Sequence, residues 1–124
     1  MKKTTEKWVL RAEEDFLVAE REHKALPPAH NTVCFHCQQC VEKYFKAVLQ
    51  ERSVPVEKTH DLDVLLKQAA VFLPQLMALK KGIVELSSFA VEIRYPGLEC
   101  NVQDVRRSLE ITRHVRAAAR NFLA

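Results

Sequence analysis

The sequence predicts an all-α protein, folded as an up-and-down antiparallel bundle of four to five helices. Apolar residues recur at helical spacing along nearly the whole chain. No stretch alternates apolar and polar residues with the period of two that strands show, and prolines stand between the helical stretches. With 124 residues the chain is long enough for one core, so we expect residues 1–124 to form a single domain.

The first two helices are predicted from about Thr5 to Leu26 and from about His30 to Arg52. In the first, Trp8 is grouped with the apolar residues of one face, and acidic residues in the N-terminal half suit the helix dipole. Pro27 ends this helix because proline disrupts helical hydrogen bonding. In the second, apolar residues cover about 200° of the helical wheel, so we expect packing partners on two sides.

Three further helices are predicted in the rest of the chain. Thr59 can cap a third helix that begins near His60. Pro74 marks a break or a new helical start, and a fourth helix then runs to about Ile93. A fifth helix runs from about Val102 to Leu123, with its first residue among those that face inward.

The composition bounds the kinds of site that the chain can hold. A formal net charge of +3 permits contact with nucleic acid but does not indicate a dedicated electrostatic binder. Two glycines are too few for a glycine-rich phosphate loop. No signal peptide or stretch of membrane-spanning length is recognised, so we expect a cytoplasmic protein without a membrane partner.

Three of the four cysteines, Cys34, Cys37 and Cys40, lie on the second helix. This spacing suggests a metal site to which His36 or His30 could add a ligand. At 100° per residue, however, Cys34 and Cys40 are about 120° apart and all three point into the apolar arc. They cannot coordinate one tetrahedral metal ion without ligands from other parts of the chain. We therefore expect small core residues, and no metal or cofactor.

Polar residues form a strip along the second helix, namely His36, Gln39, Glu42, Lys43 and Lys46. One interpretation is a solvated face supported by pairs from Gln39 to Lys43 and from Glu42 to Lys46. The other is the wall of a cleft or of a symmetric interface. Gln38 lies at the edge of the apolar arc, and a buried amide without partners costs about 1–3 kcal/mol. It therefore needs a partner from another helix, another chain or a ligand.

Three other features admit both a structural and a functional interpretation. His60 is either a residue of a helix start or an acid/base group, since histidine exchanges protons near neutral pH. Arg94 either bonds the last carbonyls of a helix or holds a phosphate with its planar fork. The fifth helix carries arginines that either form salt bridges, partly with Glu110, or meet a phosphate backbone; they are Arg106, Arg107, Arg113, Arg116 and Arg120.

Four segments, taken in order, resemble a known family. They are Trp8 with residues 12–16, residues 36–43 with Lys46, Thr59-His60-Asp61-Leu62, and Arg94-Tyr95-Pro96. Together they resemble the HEPN domain, named for higher eukaryotes and prokaryotes nucleotide-binding, over nearly the whole chain. The positions of Cys37 and Cys40 are usually alanine in that family, which favours the core interpretation of these cysteines.

The resemblance implies a helical bundle that commonly forms dimers and acts on nucleotides or RNA, often beside a small nucleotidyltransferase in toxin–antitoxin or defence pairs. Many members are metal-independent ribonucleases in which an arginine is followed, after four to six residues, by a histidine. The histidine deprotonates the ribose 2′-hydroxyl and the arginine holds the phosphate. If Arg94 is that arginine, the histidine should stand at position 99, 100 or 101. These positions hold Glu99, Cys100 and Asn101, so the sequence departs from the motif.

The sequence and the resemblance together predict a dimeric module that binds a nucleotide or RNA phosphate. Arg94 would hold the phosphate, His60 and Arg94 are the catalytic candidates, and the binding residues are expected to be Arg94, Tyr95, Lys43, Lys46, Glu42, His60 and Asp61. One alternative is a ribonuclease of non-standard constellation with His60 as the base. The other is a protein-interaction module without a ligand.

Overall fold

The computed structural model describes residues 1–90, 96–97 and 99–124. This part contains five α-helices, which are α1 (Lys3–Lys24), α2 (His30–Glu51), α3 (Leu62–Ala69), α4 (Lys80–Ser87) and α5 (Val102–Leu123). Two short 3-10 helices, Pro74–Leu79 and Ser88–Ala90, flank α4. No strand occurs among the described residues, and the predicted all-α bundle is confirmed.

The α2 helix lies at the centre of the bundle and packs against α1, α3 and α5. Thr5 Oγ1 bonds Glu51 at 3.0 Å near one end of α2, and Asp15 meets His36 at 2.7 Å nearer the other. The α1 and α2 helices are therefore antiparallel. The wide apolar arc of α2 is explained by these neighbours, as the sequence predicted.

The hydrophobic core is one cluster to which all five helices contribute. Its fully buried members include Tyr44, Phe45, Leu49, Leu65, Ile83 and Val115. Cys34, Cys37 and Cys40 are also fully buried in it with free thiols, so their interpretation as small core residues is confirmed. Trp8, by contrast, is half-buried and lies outside the cluster.

The start of α3 differs from the prediction. The N-cap is Asp61 and not Thr59, because the Asp61 carboxylate accepts hydrogen bonds from the backbone N–H groups of Asp63 and Val64 at 2.9 and 3.4 Å. The hydroxyl of Thr59 instead accepts the Asp61 N–H at 3.1 Å. A carboxylate at this position satisfies two of the donors that the first helical turn leaves open.

The predicted fourth helix is shorter and less regular than expected. Pro74 starts a 3-10 helix, and the α-helix that follows it ends at Ser87. Ser88 donates its hydroxyl to the Glu85 carbonyl at 2.8 Å, a local bond of the kind that competes with helical ladders. The predicted end at Ile93 lies outside the described residues.

The α5 helix has the predicted bounds. Asn101 and Asp104 form a capping box, in which each side chain accepts the other's backbone N–H at 2.8 and 2.9 Å. The prediction that Val102 faces inward is wrong, since it is 50% exposed while Val105, one turn later, is buried.

Residues 52–61 return along the bundle and place the start of α3 beside the middle of α2. The His60 carbonyl there accepts a hydrogen bond from the Gln38 carboxamide at 3.1 Å. At the other end of α3, the Arg52 guanidinium lies over the Phe72 ring, 5.7 Å from its centroid. This return brings His60 against α2. None of the helices in the described part is long and apolar enough to cross a membrane.

Candidate functional site

A chain of charged contacts links His60 to the interior of α2. His60 Nδ1 lies 2.8 Å from Glu42 Oε1, and Lys46 Nζ lies 3.0 Å from Glu42 Oε2. Glu42 is only 3% exposed and Lys46 only 5%. The predicted pair from Glu42 to Lys46 is therefore present but buried, and its interpretation as part of a solvated face is wrong.

Gln38, whose buried amide needs hydrogen-bond partners, finds them within the chain. Its carboxamide donates to the His60 carbonyl at 3.1 Å and to Glu42 Oε1 at 3.3 Å, and its oxygen accepts from Gln39 at 2.7 Å. No second chain or ligand is needed to satisfy it. Since Gln38 holds both the backbone of His60 and the carboxylate that meets the imidazole, it fixes the return segment against α2.

The Lys46 ammonium also meets an aromatic ring. It lies 5.5 Å from the centroid of the Trp8 ring, within the range of a cation–π interaction. The ammonium is thus held between a carboxylate and an indole. We refer to Trp8, Gln38, Glu42, Lys46 and His60 as the Glu42 cluster.

His60 is the member of the Glu42 cluster that is open to solvent, with a side chain 63% exposed. Because Nδ1 faces Glu42, the nitrogen left for a ligand is Nε2. If the neutral ring carries its proton on Nδ1, Nε2 is an acceptor; the imidazolium would make both nitrogens donors. The cluster can therefore present either a base or a cationic donor at its surface.

Lys43 belongs to a neighbouring group on the same strip. Asp15 Oδ2 lies 2.6 Å from Lys43 Nζ, and Asp15 Oδ1 lies 2.7 Å from His36 Nδ1. The expected support of Lys43 by Gln39 is wrong, because Gln39 bonds Gln38 instead. The Lys43 charge is therefore paired with a carboxylate of α1.

The other expected site residues are placed differently. Asp61 uses its carboxylate to cap α3, so it positions the segment next to His60. Arg94 and Tyr95 lie outside the described residues. The structure therefore brings together Glu42, Lys46 and His60 from the predicted set.

The arginines of α5 form a salt-bridged face with α1. Arg116 makes two 2.7 Å hydrogen bonds to Glu13, and Arg120 lies 3.2 Å from the same carboxylate. The hydrogen bond from Arg116 holds the pKa of Glu13 below its ordinary value. Arg113 pairs with Glu20 at 2.9 Å. The structural interpretation is confirmed for these three arginines, although Arg113 pairs with Glu20 of α1 and not with Glu110 as predicted.

The thiols of Cys37 and Cys40 are unsuited to nucleophilic reaction or metal binding. Burial raises the pKa of Cys37 to about 12 and raises that of Cys40 well above its ordinary value. Both groups therefore stay protonated at neutral pH, and the thiolate is the form that reacts or binds metal. Within the described part of the chain, no group of three or more histidine, cysteine or acidic residues is arranged to hold a metal ion.

Two residues of α1 that contact the polar strip of α2 were not predicted from the sequence as site residues. Trp8 contacts Lys46, and Asp15 contacts Lys43 and His36. They stand seven residues apart on α1 and so lie on one edge of that helix. That spacing, compared with the polar strip of α2, was the available signal.

Comparison with protein-family models gives one match, in which the HEPN domain model covers residues 5–122. The chain belongs to the HEPN family. Membership makes this HEPN domain, at the level of the family, a nucleotide- or RNA-related module. Searches of curated proteins and of solved structures found no match. The individual roles of the HEPN residues must therefore be argued from their geometry.

Proposed function

We propose that this HEPN domain binds a nucleotide or RNA phosphate beside the Glu42 cluster. The observation that carries the proposal is an exposed imidazole, His60, anchored on a buried and charge-paired carboxylate, Glu42. Arg94 supplies the guanidinium that holds the phosphate, and Tyr95 accompanies it at the site.

The buried pair is hard to explain by stability alone. Moving two charges out of water is costly, and replacement of a buried ion pair by apolar residues is often neutral or stabilising. Glu42 and Lys46 lie beside a fully buried apolar core, which apolar side chains at these positions would extend. The pair instead fixes an exposed histidine, and its retention is explained if that histidine binds a ligand at the surface.

The pairing of charges supports a division of roles within the site. Lys46 is paired with Glu42 and Lys43 with Asp15, so both lysines act through carboxylates. Direct contact with the ligand falls to His60 and to Arg94, whose planar fork suits a phosphate. Asp61 contributes by starting α3 next to His60.

The proposal includes the biological setting that the family resemblance implies. The domain acts as a homodimer in the cytoplasm, and its partner is a small nucleotidyltransferase of a toxin–antitoxin or defence pair. The partnership predicts a small nucleotidyltransferase in the neighbouring reading frame, and co-expression of the two chains followed by size-exclusion chromatography tests it. Separate elution of the two proteins would contradict it.

Calorimetric titration with nucleotides and short single-stranded RNA tests the binding function. We expect saturable binding that weakens at least tenfold in Arg94→Ala and in His60→Ala. The control is Arg107→Ala, since Arg107 is an exposed arginine paired with Asp104 on α5. Absence of binding, or equal affinity in all four proteins, would overturn the proposal.

A second candidate function is metal-independent RNA cleavage with His60 as the general base. It is favoured by the 2.8 Å contact between His60 Nδ1 and Glu42, because a carboxylate on one ring nitrogen orients the other for proton transfer. RNA incubated with chelator should then be cleaved by the wild type and not by His60→Ala, and more slowly by Glu42→Gln. Cleavage that persists in His60→Ala would exclude this role.

A further inference from the structure

We infer that Trp8 is the stacking platform for a nucleobase of the ligand, an inference that rests on the proposed binding at the Glu42 cluster. The ligand would then lie along the polar strip of α2, with its base on Trp8 and its phosphate toward His60. Trp8 would then be the residue that distinguishes a nucleotide from a simple phosphate.

The first support is where the tryptophan lies. Trp8 is the only tryptophan of the chain, and it is half-buried outside the hydrophobic cluster. On the same helix Ala12 and Ala19 are fully buried in that cluster. The largest apolar side chain therefore borders polar groups and belongs to a residue that is only partly buried.

The second support is that the Trp8 indole contacts a charged residue of the Glu42 cluster. The Lys46 ammonium lies over the indole, 5.5 Å from its centroid, and the same ammonium bonds Glu42 at 3.0 Å. Glu42 in turn meets His60 at 2.8 Å. These contacts join the indole and the exposed imidazole in one continuous group, so a base at one end and a phosphate at the other would belong to a single ligand.

The third support is chemical. Bases stack on aromatic side chains in single-stranded nucleic-acid sites, and every base has a π-face that can do so. Because Trp8 is only partly buried, its indole can meet a base in addition to the Lys46 ammonium. Because stacking grows with the area in contact, we expect purines to bind more tightly than pyrimidines.

The competing explanation is that Trp8 only shields the buried pair of Glu42 and Lys46 from water. A shield affects the stability of the protein but does not discriminate between ligands with and without a base. The difference between such ligands is therefore the quantity to measure.

The experiment compares matched probes by calorimetry. Adenosine 5′-monophosphate and an adenosine tetranucleotide carry bases, while ribose 5-phosphate and an abasic ribose-phosphate tetramer carry the same phosphates without them. The variants are Trp8→Leu, the conservative Trp8→Phe, and the control Leu10→Ala, which changes a 62% exposed side chain of the same helix. Thermal melting verifies that each variant is folded, and Trp8→Phe keeps the test possible if Trp8→Leu is not.

We expect Trp8→Leu to weaken binding of the base-carrying probes by about 5- to 150-fold per stacked base. Binding of the abasic probes should be unchanged, Trp8→Phe should lose less, and Leu10→Ala nothing. The tryptophan fluorescence of the wild type, excited at a wavelength that tyrosine does not absorb, reports Trp8 alone and should be quenched only by the base-carrying probes.

The possible failures are distinguishable. Base-carrying and abasic probes that lose affinity equally, or no loss at all in Trp8→Leu, would overturn the stacking role while leaving phosphate binding standing. If none of the probes binds the wild type, the proposed function and the stacking role both fall.

Discussion

At the scale of single residues, Glu42 shows how a carboxylate is kept in the interior of a small protein. One of its oxygens meets His60 and Gln38, and the other meets Lys46. Each buried charge is thereby paired and hydrogen-bonded, as burial requires. The exposed His60 is the only one of these four side chains that reaches solvent substantially, so the buried partners serve to hold it.

Removal of one charge of the Glu42–Lys46 pair should lower the free energy of unfolding more than removal of both charges. Lys46→Met leaves Glu42 without its cation, and we expect the free energy of unfolding to fall by about 3–5 kcal/mol. The double variant Glu42→Leu, Lys46→Met should recover most of this loss, because no unpaired charge remains. Urea denaturation of Glu42→Leu, Lys46→Met and the double variant measures the coupling energy between the two side chains. Strictly additive losses would contradict the pairing.

The ion pair of Glu13 predicts a dependence of stability on pH. Its pKa is lowered in the folded protein, mainly by the hydrogen bond from Arg116. Its contribution is therefore fully present above the ordinary glutamate pKa of about 4.5, and is lost as the pH falls through the lower folded value. Denaturation at several pH values should show a shallower acid loss in Glu13→Gln than in the wild type. Parallel curves would show that Glu13 contributes nothing to it.

The thiols should be inert in the folded protein. Cys34, Cys37 and Cys40 are fully buried, and burial raises the pKa of each. We expect a thiol reagent such as Ellman's to leave these three unmodified at neutral pH until denaturant is added, when all should react. Rapid modification of any of them in the native protein, located by mass spectrometry, would contradict their place in the core.

At the scale of elements, the sequence predicted helices best where the local signals agree. The α5 helix has its predicted bounds because a capping box at Asn101 coincides with the start of a helical apolar pattern. Between Pro74 and Ala90 the chain alternates between 3-10 and α-helix. The apolar spacing there is compatible with both, so periodicity alone did not separate them.

The cap of α3 gives a test at this scale. Asp61→Ala removes an acceptor for two N–H groups of the first turn, and we expect it to lower the free energy of unfolding by about 0.5–2 kcal/mol. Thr59→Ala is the matched control, since Thr59 accepts a single N–H before the helix begins. Equal losses in the two variants would contradict the assignment of Asp61 as the cap.

At the scale of the whole molecule, the fold followed from the sequence and the site followed only in part. The strip on α2 was visible because Glu42, Lys43 and Lys46 recur at helical spacing. Their partners were not, since Asp15 and Trp8 are brought to the strip by the antiparallel packing of α1, and His60 by the return of residues 52–61. Such contacts depend on tertiary placement, which local patterns do not encode.

The central claim is that a nucleotide or RNA ligand binds at the Glu42 cluster, and NMR of the side chains locates it directly. Short single-stranded RNA is titrated while the imidazole and indole signals are followed. We predict that the signals of His60 and Trp8 move together and saturate, while that of the exposed His114 on α5 stays in place. Movement of His114 with His60 unchanged would contradict the account.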